Sequence, residues 1–181
     1  MNKEEILKNK KILIVDDEKD ILDTLTELLS MCLLKKASTF NDAIDLLESD
    51  YFDLAILDIM GVDGFKLLET AMERKTPAAM LTANALSPEN TVKSFKKGAV
   101  YYIPKEKITE IRSCLTEIFE SIEKGKSIWE RWLDRFSGYY DEKFGNNWKD
   151  KDEDFLPVNE FLEKPVNPDF LLEKIRTALG H

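Results

Sequence analysis

The placing of apolar residues among polar ones predicts five strands along the first two-thirds of the chain, near 11–16, 34–38, 53–58, 77–82 and 100–104. Three of them, Ile12–Val15, Leu54–Leu57 and Ala78–Leu81, are continuous rather than alternating. That pattern predicts strands buried on both faces, as in a parallel sheet covered by helices. Helices are predicted in the gaps, near 18–32, 40–49, 64–74, 88–98 and 106–123, with Asn41, Asp63 and the Ser87–Pro88 pair as start signals. Gly98 stands where a left-handed cap would close the fourth helix. Five alternations of strand and helix predict an α/β fold, a doubly wound parallel sheet.

The polar residues that end these strands change the picture from fold to chemistry. Asp16 and Asp17 end the first strand, Asp58 the third and Thr82 the fourth, while Lys105 follows the fifth. Strand C-terminal ends share one edge of a parallel sheet, where ligands bind in a crevice. Three acids brought together there raise one another's pKa unless a cation neutralises them. Mg²⁺ suits carboxylate oxygens in octahedral geometry. Asp58 stands alone at its strand end, before the turn-rich Gly61–Gly64, and is the acid best placed to act as nucleophile toward a phosphoryl group. Lys105 and Thr82 are placed to hold the transferred oxygens. Each residue alone has a plainer reading. Asp16–Asp17 could cap a helix, Thr82 could be an ordinary strand residue, Lys105 a solvated lysine and Tyr102 core packing.

The ordered set of Asp16–Asp17, Asp58, Thr82 and Lys105, with Lys97–Gly98–Ala99 before the last strand and Tyr102 three residues before the lysine, closely resembles the receiver domain of two-component response regulators over residues 10 to about 123. The resemblance implies a five-stranded flavodoxin-like sheet of order 2-1-3-4-5. It implies Mg²⁺ held by Asp16, Asp17, Asp58 and the main-chain carbonyl of Met60, with Asp58 as phosphoacceptor. Thr82 and Tyr102 would form a switch pair and Lys105 would bind the phosphoryl group. A sensor histidine kinase or phosphotransfer protein would supply that group, and a downstream protein would read the changed face of the fourth helix, fifth strand and fifth helix. The chain would catalyse only its own phosphorylation and dephosphorylation, not act as a turnover enzyme.

Three departures stand against the family pattern. The stretch from Asp58 to Gly64 is two residues shorter than usual and lacks its proline. Glu106 follows Lys105 where the family carries proline. An extension covers 125–181, after a receiver domain over 1–124. Within it, Ile128, Trp132, Phe136, Tyr140 and Phe144 make an i, i+4 stripe opposite Glu130, Arg131, Asp134, Arg135, Asp141 and Glu142. This predicts a helix that covers an apolar face of its own receiver, or alternatively a homodimer or partner surface. Residues 145–160 read as a polar connector around Trp148. The tail near Lys164–Pro165 resembles a second copy of a receiver's last strand and helix, which leaves Lys164 as the rival to the favoured Lys105.

Composition narrows the alternatives. A net charge of −9, with acids spread along the chain, argues against nucleic acid, and no basic recognition helix follows residue 123. A transcriptional regulator is therefore a weak alternative. No apolar run approaches the roughly 20 residues of a membrane span, and the lysine-rich start leads into only a short strand, so a cytoplasmic protein is expected. Cys32 and Cys114 form no motif and are expected as buried small hydrophobes, and the only histidine is His181. Two further alternatives are a phosphorylation-independent pseudo-receiver scaffold, suggested by the short loop, and an aspartyl-phosphate-type phosphohydrolase. The latter would need an acid two residues beyond Asp58, where Met60 stands.

Overall fold

In the computed structural model, residues 5–83, 86–124 and 128–150 are described. Five parallel strands, β1 (Lys11–Val15), β2 (Leu33–Ala37), β3 (Leu54–Asp58), β4 (Ala78–Thr82) and β5 (Tyr101–Pro104), pair in the order 2-1-3-4-5. Helices α1 (Lys19–Leu28), α2 (Phe40–Ser49), α3 (Gly64–Glu73), α4 (Pro88–Lys96) and α5 (Ile111–Lys124) alternate with them. The fold is thus the flavodoxin-like doubly wound sheet, with α6 (Ile128–Phe144) added after it. β3 and β4 are buried along their whole length and β1 along all but Lys11, as continuous apolar runs require.

Helix starts follow side-chain chemistry, though not always at the expected residue. Ser87 caps α4 by accepting the Asn90 N–H, with Pro88 in the first turn. Thr39, not Asn41, caps α2, since its hydroxyl accepts the Asp42 N–H and Asn41 already lies inside the helix. Asp63 precedes α3 but caps nothing; it sits in the left-handed region at φ 53°. The cause is the short loop, which must reverse the chain between Asp58 and Gly64. A Cβ at Gly64 would overlap the Asp58 carbonyl oxygen, so only glycine lets the loop close this tightly. A 3₁₀ segment, Lys105–Glu110, precedes α5 where continuous helix was expected from 106. Gly98 ends α4 at φ 99°, as expected.

The two sheet edges differ. β2 leaves Leu33, Lys35 and Lys36 exposed, whereas all four residues of β5 are buried although, among the described residues, β5 pairs with β4 alone. An edge strand is buried only when another element covers it. That element is α6, which lies against β5 and α5. Its Ile128, Trp129, Trp132, Phe136 and Tyr140 are buried. Phe95 of α4 meets the Trp129 and Trp132 rings edge-on at 5.0 and 5.5 Å, and Phe136 meets Tyr101 of β5 at 6.2 Å. Arg135 bridges Glu110 and Glu117, and Arg131 pairs with Glu120 at 3.0 Å. The apolar stripe therefore covers its own domain. Trp148, expected in a connector, is fully buried against Tyr140, and its indole N–H donates to Asp141 at 2.8 Å. Residues 151–160 of that segment, with Lys164 and the tail, lie outside the described residues. Cys114 is buried and Cys32 half-buried.

Candidate functional site

β1 and β3 are adjacent and in register, Val15 beside Leu57, so Asp16 and Asp58 emerge side by side at the C-terminal edge of the sheet. Register also sets Asp58 beside Leu81 and Thr82 beside Pro104, which brings the ends of β4 and β5 to the same edge. Asp16 and Asp58 are almost wholly buried, at 1% and 3% exposure, while Asp17 is exposed. Carboxylate oxygens of Asp16, Asp17 and Asp58 all lie within 4.8 Å of one another.

Lys105, itself buried, reaches into this group. Its Nζ lies 2.7 Å from Asp16 Oδ2, 2.7 Å from Glu18 Oε1 and 3.3 Å from Asp58 Oδ1. Burial pushes the Asp58 carboxyl up to about 6, the Asp16 charge adds to that, and Lys105 pulls the other way. Asp16 is also raised, by burial first, against the opposing hydrogen bonds from Lys105 and the Glu18 N–H. For Lys105 burial favours the neutral form, but the bonds to Asp16 and Glu18 and the charge of Asp58 outweigh it and hold its pKa above the usual lysine value.

The donor set fits a hard divalent cation. It is all oxygen, it carries more negative charge than Lys105 offsets, and the buried Asp16 Oδ2 receives no well-directed hydrogen bond despite its ion pair. Gly61, at φ 72°, keeps room beside Asp17, since a Cβ there would overlap that carboxylate. The Met60 carbonyl accepts the Val62 N–H at 2.7 Å across this turn, which leaves it a second lone pair, and the Met60 side chain is exposed.

Thr82 and Tyr102 are both fully buried. The Tyr102 phenol is hydrogen-bonded with the Thr91 side chain and the Ser87 main chain, while burial raises its pKa. Two residues around the site escaped the sequence reading. Glu18, taken there as part of a helix start, pairs with Lys105; its only signal was its place two residues after Asp16. Glu106 is bound by α6, through the Tyr139 hydroxyl at 2.6 Å and Lys143 Nζ at 2.5 Å. Its signal was the missing proline.

A parallel α/β domain with buried acids and a lysine at the C-terminal edge of its sheet is the class that fold and site define. Within that class the profile of the response regulator receiver domain matches residues 12–116, and the chain belongs to that family. Similar curated proteins include the two-component response regulator ARR10 of Arabidopsis thaliana, 33% identical over 127 residues that make up 65% of this chain and 23% of that protein. The regulatory protein VanRc of Enterococcus gallinarum is 36% identical over 104 residues, 54% of this chain and 44% of that protein. The chain thus spans less than half the length of these relatives. Among solved structures, a CheY-like receiver domain protein from Methanospirillum hungatei JF-1 superposes with a TM-score of 0.58 at 31% identity, covering 65% of this chain and 98% of that one. The BeF3-activated DrrB receiver domain gives a TM-score of 0.56 at 25% identity, covering 62% and 98%. The family match ends before α6.

Proposed function

We propose that this chain is a response regulator whose Asp58 accepts a phosphoryl group from the phosphohistidine of a sensor kinase or phosphotransfer protein. The observation that carries the reading is the buried Asp58 carboxylate, placed beside Asp16 and Asp17 with Lys105 at 3.3 Å. With its pKa near 6, Asp58 is mostly ionised at neutral pH and available as nucleophile. One Asp58 oxygen attacks phosphorus, the P–N bond of the donor breaks, and the imidazole nitrogen leaves with the electron pair and takes up a proton. Lys105 turns from Asp16 and Glu18 toward the phosphoryl oxygens, and Thr82 donates its hydroxyl to one of them. Mg²⁺, when bound by Asp16, Asp17, Asp58 and the Met60 carbonyl, would supply countercharge to acids and phosphoryl group alike. Water later attacks the same phosphorus and returns Asp58 as carboxylate, so the chain modifies only itself and turns over no separate substrate.

No described helix is long and apolar enough to cross a membrane. The role we propose is cytoplasmic signalling, with a protein as the downstream target. Incubation with acetyl phosphate and Mg²⁺, followed by intact mass, should add one phosphoryl group to wild type and none to Asp58→Asn. A phosphorylation-independent scaffold is the second reading, favoured by the tight Asp58–Gly64 loop and by a Lys105 already paired with Asp16 and Glu18. Wild type that stays unmodified would select it.

A further inference from the structure

A helix can be fastened to a domain by its apolar stripe and a few ion pairs. α6 has both: the aromatic face described above, and the Arg131 and Arg135 bridges to α5 and to the end of the 3₁₀ segment before it. Further polar contacts of α6 lead to β5, α4 and the residue beside Lys105. The Trp132 indole N–H donates to the main-chain carbonyl of Tyr102 at 2.7 Å in a buried environment. The Tyr140 hydroxyl lies 2.6 Å from Thr91 Oγ1. Thr91 Oγ1 donates to the Ser87 carbonyl at 2.7 Å, and the Tyr102 phenol is bonded with the same Thr91 side chain. One hydroxyl of α4 therefore joins the phenol of the switch strand to the phenol of α6. The third contact is the grip of Tyr139 and Lys143 on Glu106, the residue next to Lys105.

We propose that α6 is the chain's own regulatory element, seated on α4, β5 and α5 so that its docking and the phosphorylation of Asp58 oppose one another. The inference rests on the phosphoacceptor reading of Asp58. Its physical basis is that α6 is anchored to Tyr102 and to Glu106, the neighbour of Lys105, on the stretch of chain that phosphorylation engages. In the arrangement to which α6 is fitted, Lys105 Nζ sits on Asp16 and Glu18, farther from Asp58. A phosphoryl group replaces the single charge of the Asp58 carboxylate with about two on its own oxygens, and recruits Nζ and the Thr82 hydroxyl. Tyr102, Lys105 and Glu106 belong to one short stretch of chain, so this rearrangement displaces the Tyr102 carbonyl and the Glu106 carboxylate. Hydrogen bonds weaken steeply with angle and distance, so each displacement, of the buried Tyr102 bond and of the exposed Glu106 bonds, costs α6 part of its hold. Linkage then works in both directions: what loosens α6 eases phosphorylation, and phosphorylation loosens α6. Released, α6 would expose its own aromatic face together with the surface of α4, β5 and α5 beneath it.

The test uses the full chain. Its three tryptophans are Trp129, Trp132 and Trp148, all 2% exposed or less and all in α6 or the turn after it, so intrinsic emission reads the docking of α6. With acetyl phosphate and Mg²⁺, emission should shift to the red in step with the phosphorylated fraction followed by intact mass. Tyr140→Phe, which keeps the ring and loses the bond to Thr91, and Glu106→Gln, which weakens the hold of Lys143, should each enlarge the population with α6 loosened and so raise the phosphorylation rate, the first about fivefold and the second about twofold. A merely structural α6 would leave that rate alone. Protein phosphorylated on Asp58 with unmoved emission, or both variants modified at the wild-type rate, would overturn the inference while leaving the phosphoacceptor reading intact. If wild type takes up no phosphoryl group, both fall together.

Discussion

Replacing Asp58 by asparagine should make the metal-free protein more stable while removing its capacity for phosphorylation. The Asp58 carboxyl sits at about 6 against an ordinary 3.8, chiefly through burial and the nearby Asp16 charge. Two units at roughly 1.4 kcal/mol each make the ionised carboxylate a burden of about 3 kcal/mol at neutral pH, an upper value because the new amide must share the pocket with Lys105. The attraction of Lys105 is already contained in that figure. Between pH 3.8 and about 6 the folded protein keeps a proton on Asp58 that the unfolded chain has released, so stability falls as pH rises through this window and levels off above it. Urea denaturation in EDTA at about pH 7.5 should show Asp58→Asn gaining roughly 1–3 kcal/mol, a rise of several degrees in Tm. The gain should vanish toward about pH 4, and the variant should keep a weaker slope of the same sign from Asp16, whose carboxyl is also raised. Added Mg²⁺ should then stabilise wild type more than the variant. A variant less stable than wild type at neutral pH without metal would refute the reasoning, since the ion pair with Lys105 would then outweigh the cost of burial.

Gly64→Ala forces a methyl group onto the Asp58 carbonyl and should cost about 2–4 kcal/mol in urea denaturation, with loss of phosphorylation by acetyl phosphate beyond what unfolding explains. Asp17→Ala removes an exposed carboxylate, so stability should change by less than about 0.5 kcal/mol. Mg²⁺ affinity by calorimetry should nevertheless fall at least about tenfold, and unchanged affinity would remove Asp17 from the metal site. Lys105→Met leaves Asp16 and Asp58 without their buried countercharge, which should destabilise the metal-free protein by about 3 kcal/mol or more in the same denaturation assay.

The sheet was legible because three of its strands are buried on both faces and therefore read as unbroken apolar runs, and the site was legible because its residues stand where those runs stop. Asp16, Asp58 and Lys105 do meet, and Thr82 and Tyr102 are both buried. What could not be read depended on contacts distant in sequence. Thr39 and Asn41 are both acceptable caps, and only the geometry of α2 chooses between them. Asp63 was expected to start α3 by capping, but the two-residue deficit in its loop turns its backbone left-handed instead. The stripe of α6 announced that the helix buries a face without saying against what. Trp148 stood in a polar stretch with no periodicity to mark it, and its burial depends on Tyr140 and Asp141. Glu18 and Glu106 differ from ordinary surface acids only through the partners that the fold brings to them.

The grip of α6 on Glu106 has a bearing on how such chains are inherited and recombined. A proline after the lysine offers Tyr139 and Lys143 nothing to hold, and a glutamate without α6 faces water with no partner from that helix. A chimera that exchanges either residue 106 or α6 alone therefore loses these contacts at the seam. Receiver sequences with an acid directly after this lysine should be enriched for an aromatic helix beyond α5, and an alignment of such sequences can count the co-occurrence.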